Sequence, residues 1–87
     1  MKIDQEALAM FRNPSKAILR DFSQVLNEGG FEYAAEVFIA MILAEDRSKF
    51  IGNYDKLLEF MNENKELISE IISGLLLKLF ELTDNKQ

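Results

Sequence analysis

Apolar side chains crowd the last third of the chain more densely than one face of a helix can hide. Leu67, Ile68, Ile71, Ile72, Leu75, Leu76, Leu77, Leu79, Phe80 and Leu82 lie within sixteen residues. A helix on a domain surface carries an apolar stripe a little over ~100° wide. At ~100° per residue, the positions from Leu67 to Ile72 on the helical wheel already span roughly 140°. Leu76 and Phe80 widen the arc to roughly 220°, and Leu77 falls beyond it, among Glu66, Glu70 and Ser73. Such a helix is either the centre of the fold or has a second side that meets another chain. Ser69 and Ser73, one turn apart on that second side, are small enough to admit a close neighbour. Gly74, costly inside a helix by ~1 kcal/mol relative to Ala, suggests close backbone packing.

Upstream, the same periodicity predicts helices throughout. Ile3 to Phe11 reads as a first short helix, with Asp4 as N-cap, Glu6 in the first turn, and Leu8, Phe11 and Ala7 turned inward. Asn13-Pro14 marks a boundary, with Asn as cap and Pro at the first helical position. A second helix follows from Pro14 to about Glu28, burying Ile18, Phe22, Val25 and Leu26, with Ala17 and Leu19 beside them. Gly29-Gly30 stops it. Phe31 to about Asp46 is apolar around nearly its whole circumference, the pattern of a buried central helix. Ser48 is placed as the cap of a fourth helix reaching about Met61, in which Phe50, Tyr54, Leu57 and Met61 repeat at four-three-four spacing. Gly52 weakens its first turn and allows a later start near Asn53. The apolar register shifts by four residues between Met61 and Ile68, which predicts a turn at Asn62–Asn64 with Asn64 capping the last helix. Residues 83–87 are polar and read as a frayed tail.

These elements define an all-α fold: one domain over 1–87, a compact bundle of four to five helices around a central apolar helix at about 31–46. At 87 residues the chain buries a smaller fraction of its surface than a larger domain would. Yet 48% of its residues are hydrophobic, at the upper end of the usual ~45–50%. A small chain with a full apolar complement favours self-association.

Charge narrows the function classes. The net charge is −5, and the ten Lys and Arg residues are scattered without a basic stripe. Displacing counterions from nucleic-acid phosphates needs such a stripe, so nucleic acid is not an expected partner. Nor is an anionic membrane surface, and no apolar run is long enough to span a bilayer. The chain contains no Cys and no His. Thiol chemistry, thiolate metal sites and disulfides are excluded, and the composition suits a cytoplasmic setting.

Chemistry has little to build on. Without His or Cys there is no serine triad and no Cys–His pair. Glu59, Glu63, Glu66 and Glu70 have near-helical spacing but lack the His of a di-iron bundle, and they interleave with Lys56 and Lys65 as a solvated face would. Asp46 to Leu57 fails as a calcium loop because Phe50 and Leu57 occupy ligand positions. A helix-turn-helix with Phe31–Leu43 as reading helix fails because that helix is apolar where base-reading groups should project. Catalytic, cofactor-binding and metal-binding residues are therefore not expected. Met10, Met41 and Met61 are flexible enough for an adaptable surface but suit gap-filling as well.

The expectation is a small acidic protein-protein interaction domain, a regulator, adaptor or chaperone-like protein. It is expected to form a homodimer, or meet another protein, through Ser69, Ser73, Leu76, Leu77 and Phe80. An alternative is an immunity- or inhibitor-type protein whose Glu28, Glu32, Glu36, Glu45 and Asp46 meet a basic toxin or enzyme. A compact monomer that encloses its whole apolar surface is the remaining alternative.

Overall fold

Asp4 organises the start of the chain in three ways. Its carboxylate accepts hydrogen bonds from the amides of Glu6 (3.0 Å) and Ala7 (3.3 Å), capping the first helix. Its own amide donates to the Leu43 carbonyl at 2.8 Å, and the Glu45 amide returns a bond to Lys2 at 2.9 Å. Its second oxygen lies 3.7 Å from Arg47 Nη2. Ile3 and Ala44 thus form an isolated antiparallel bridge that ties the N-terminal segment to the chain leaving the central helix.

The computed structural model describes residues 2–29 and 33–84 and is all-α, with no strand among the described residues. Five α-helices run α1 Gln5–Arg12, α2 Lys16–Gly29, α3 Ala35–Leu43, α4 Tyr54–Glu63 and α5 Lys65–Asp84, with a 3₁₀ turn at Arg47–Phe50 before α4.

The central helix is shorter than its apolar run predicts. α3 covers 35–43 rather than 31–46. Residues 30–32, which include the expected start, lie outside the described residues. At the other end Ala44 leaves helical geometry (φ −75°, ψ 131°) because it takes the bridge to Ile3 instead. No residue of α3 is exposed. It packs against α1, α2, α4 and α5. Ala35 and Ala40, like Ala44 just beyond its end, are wholly buried, so neighbouring backbones approach closely. Ile39 and Leu43 fill the centre with Phe22 of α2, Phe60 of α4 and Leu75 of α5.

Three helix caps differ from expectation, although the later start of the fourth helix near Asn53 and the break at Asn62–Asn64 fall where the sequence allows them. Asn13-Pro14 does not cap α2; the Ser15 hydroxyl accepts from the Ile18 amide at 3.2 Å, so the helix begins after Ser15. Its buried residues are Leu19 and Phe22, while Ile18, Val25 and Leu26 are half-buried. Ser48 does not cap α4. Its hydroxyl donates to Asp46, and Asn53 caps instead, accepting from the Lys56 amide at 3.2 Å. Between them the chain turns through Gly52 at φ +70°, a left-handed value suited to glycine. That turn breaks the four-three-four pattern: Phe50, Leu57 and Phe60 are buried, Tyr54 and Ile51 are exposed, and Met61 is half-buried. Phe50 and Phe60 pack against each other with ring centroids 5.6 Å apart and planes tilted by 54°. Asn64 separates α4 from α5, but its side chain caps backwards, donating to the Phe60 carbonyl at 2.9 Å.

α5 continues to Asp84, past the expected end; residues 85–87 lie outside the described residues. Two glycines carry opposite constraints. A Cβ on Gly29 would run into Ala34, so this helix end needs glycine. A Cβ on Gly74 would meet no atom within 4 Å, so the expected close packing at Gly74 does not occur within the chain.

Chemical or thermal unfolding of two variants checks this assignment. Asp4→Ala loses the cap and should cost about 1 kcal/mol. Gly74→Ala should gain about 1 kcal/mol, a rise of roughly 4–8 °C in Tm for a domain this size. A loss at Gly74 would contradict the open space around it.

Candidate protein-interaction surface on the last helix

α5 has 20 residues, about 30 Å at 1.5 Å per residue, and is the longest helix of the bundle. The four other helices cover only part of its circumference. Ile68, Ile71, Ile72 and Leu75 are buried and occupy one arc of about 100°. Leu67 and Leu76 are half-buried at its margins, and Leu79, within the arc but one turn beyond Leu75, is half-buried as well.

The five residues expected at an interface occupy a second arc of about 100°, centred roughly 140° away from the first. Ser69 and Ser73 are exposed, Leu76 is half-buried, and Leu77 and Phe80 are 61% and 66% exposed. Ser69, Ser73, Leu76 and Phe80 follow four-three-four spacing, so they align along the axis over about 16 Å. Leu77 sits beside them. Leu82 is also exposed, but on the side that faces the core earlier in the helix.

Leu77 joins this edge to a groove of about 270 Å³ along the α1–α5 seam. Phe11, Pro14, Ile71 and Gly74 line its floor, with Arg12 and Glu70 at the rim. Arg12 and Glu70 approach to 3.8 Å, but both are well exposed, so the pair contributes little.

A second groove, about 340 Å³, lies where α3 begins beside α4 and α5. Tyr33, Leu58, Met61 and Ile68 line it, with Glu36 and Lys65 as its charged groups. The Tyr33 and Tyr54 hydroxyls are hydrogen-bonded to each other, joining the π-helical turn that leads into α3 to the first turn of α4. That bond raises the Tyr33 pKa above its ordinary value, because losing the proton would break it. Of the three core-type methionines singled out by sequence, Met61 lines this groove, Met41 is half-buried in α3, and Met10 is exposed on α1.

The acidic residues do not form one patch. Glu28 and Glu36 flank the entry to α3, whereas Glu45 and Asp46 follow its end, about 13 Å away along a helix of this length. Glu32 lies outside the described residues. Asp46 is engaged locally: the Ser48 hydroxyl donates to it at 2.8 Å and Lys49 Nζ lies 3.4 Å away. The hydroxyl first, and then Lys49, hold its carboxyl below the usual range. Among the described residues no three His, Cys, Asp or Glu side chains are grouped to hold a metal. No helix there is long and apolar enough to cross a membrane.

The chain matches no protein-family model, no curated protein and no solved structure. What defines it is therefore its own architecture: an all-α five-helix bundle whose longest helix shows an apolar edge to solvent.

The chain has two tyrosines and no tryptophan, so phenolate absorbance reads the Tyr33–Tyr54 pair directly. Tyr33 should titrate above the ordinary value of ~10 and return to it in Tyr54→Phe. Because the folded value is raised, whatever the pair adds to stability is present below the ordinary tyrosine range. It is lost as pH rises through the raised value. Identical titration of Tyr33 in both proteins would contradict the pairing.

Proposed function

We propose that this protein is a binding domain that works by covering an apolar surface on another protein chain, and that it self-associates through the outer edge of α5. The single observation that carries this reading is the exposure of Leu77 and Phe80 on a helix whose opposite arc is already buried. Scattered exposed apolar residues are ordinary; a contiguous exposed edge marks a contact site. The proposed role is that of a small acidic regulator, adaptor or chaperone-like protein. A cytoplasmic setting goes with it, favoured by the cysteine-free composition.

The energetics set the expected strength. Fully burying a Leu or Phe side chain contributes ~1.5–3 kcal/mol relative to exposure, and each copy brings two such residues. Loss of translational and rotational freedom offsets a large part of that gain. The edge is one helix wide, so the interface falls at the small end of the specific range, below ~1,200 Å² in total. Self-association is therefore expected at micromolar concentrations rather than nanomolar.

Size-exclusion chromatography with light scattering over the micromolar to millimolar range tests this. The mass should climb from one 10.0 kDa chain toward two. Phe80→Asp should keep its helical circular dichroism but remain a single chain. A wild-type protein that stays at one chain throughout would overturn the self-association.

A further inference from the structure

The chain has two tyrosines, and the fold brings them together. They lie 21 residues apart in sequence, one in the π-helical turn before α3 and the other at the first position of α4. Their hydroxyls share a hydrogen bond, and the residues are 50% and 53% exposed. Neither belongs to the buried core. We infer that Tyr33 and Tyr54 form an oxidative cross-linking site. One-electron oxidants convert the pair to an intramolecular dityrosine that straps the entry of α3 to the start of α4.

The composition directs oxidising equivalents to this pair. Thiol and indole side chains, which readily give up an electron, are absent, because the chain has no cysteine and no tryptophan. Tyrosine is then the most readily oxidised one-electron donor left, and both tyrosines are open to solvent. Methionine reacts with peroxide by a different route, taking up an oxygen atom to give the sulfoxide, and forms no cross-link.

Each phenol gives up one electron and its hydroxyl proton to become a phenoxyl radical. The unpaired spin extends to the ring carbons ortho to the oxygen. A carbon–carbon bond forms between one ortho carbon of each ring, and the hydrogens displaced there transfer to the oxygens through solvent, restoring two phenols. The pair has then lost two hydrogen atoms in all. One hydrogen peroxide, acting through a haem peroxidase, accepts them and becomes two water molecules. Each ortho carbon is bonded to the carbon that carries the hydroxyl. Hydroxyls in hydrogen-bond contact therefore hold the reacting carbons within a small ring rotation of each other. In an unfolded chain the intervening loop must first close, at a cost in entropy; the folded chain has closed it already.

The strap spans α3, the helix that the rest of the bundle covers. By restricting the unfolded chain it stabilises the fold as a disulfide across a loop of this length does. It also fixes Tyr33 at the wall of the groove of about 340 Å³ that it lines. None of this depends on self-association through α5.

Treatment with a haem peroxidase and one equivalent of hydrogen peroxide, at submicromolar protein where single chains prevail, tests the site. The intact mass should fall by two hydrogen atoms, and the blue fluorescence of dityrosine should appear. The band on a denaturing gel should remain that of one chain. Tryptic digestion should yield peptides 21–47 and 50–56 joined to each other. Tyr54→Phe should keep its helical circular dichroism and lose the joined peptide. The same treatment in denaturant should lower the yield of the single-chain link several-fold. The purified linked protein should melt about 5 °C or more above the untreated one. No link, links only between chains, or a yield as high in denaturant as in the folded state would overturn the site. A linked chain that melts no higher than the untreated protein would overturn the strap.

Discussion

Nine residues of α3, none of them exposed, have to be covered from every direction, and the rest of the bundle is arranged to do so. α1, α2, α4 and α5 all pack against this helix. The two alanines within it, Ala35 and Ala40, and Ala44 at its end are wholly buried, which lets four neighbours come close at once. Ile39 and Leu43 then interlock with Phe22, Phe60 and Leu75 from three other helices. Truncating a side chain of that kind typically costs 2–5 kcal/mol, a large share of the stability of any small domain. The Ile3–Ala44 bridge and the Asp4 cap close the fourth side, where α1 is only eight residues long.

Covering α3 uses only one arc of α5. A helix of 20 residues laid on partners of 8 to 14 leaves part of its surface outside the bundle. The sequence nevertheless keeps leucine and phenylalanine there, at Leu77 and Phe80. The structure thus separates two roles along one helix. Ile68, Ile71, Ile72 and Leu75 serve the fold, while Leu77 and Phe80 serve no contact of the core. The open space at Gly74 belongs to the same outer region, next to the groove along α1.

Some of this was legible from residues alone, and the exceptions have physical causes. Asp4 as a cap follows from the first-turn pattern, and the buried character of α3 follows from its lack of a polar face. The division of α5 into inner and outer arcs follows from angular arithmetic. The face of α4 did not follow, because a 3₁₀ turn and the left-handed Gly52 reset the phase between Phe50 and Leu57. A register read through that break promotes Tyr54, which is exposed and bonded to Tyr33, and passes over Phe60, which is buried. Ser15 displaced Asn13 as a cap because the two are adjacent candidates around one proline, and local propensity does not rank them. Gly74 suggested close packing, but a glycine reports only the absence of a side chain and not what lies near it.

When molecules meet, the outer arc of α5, and no other part of the surface, should change its environment. Nuclear magnetic resonance spectra recorded across a dilution series measure this residue by residue. Signals of Ser69, Ser73, Leu76, Leu77 and Phe80 should move together with concentration while those of Ile39, Ala40 and Leu43 stay fixed. Concentration-dependent shifts confined to another face, with the α5 signals unmoved, would contradict the interface on α5.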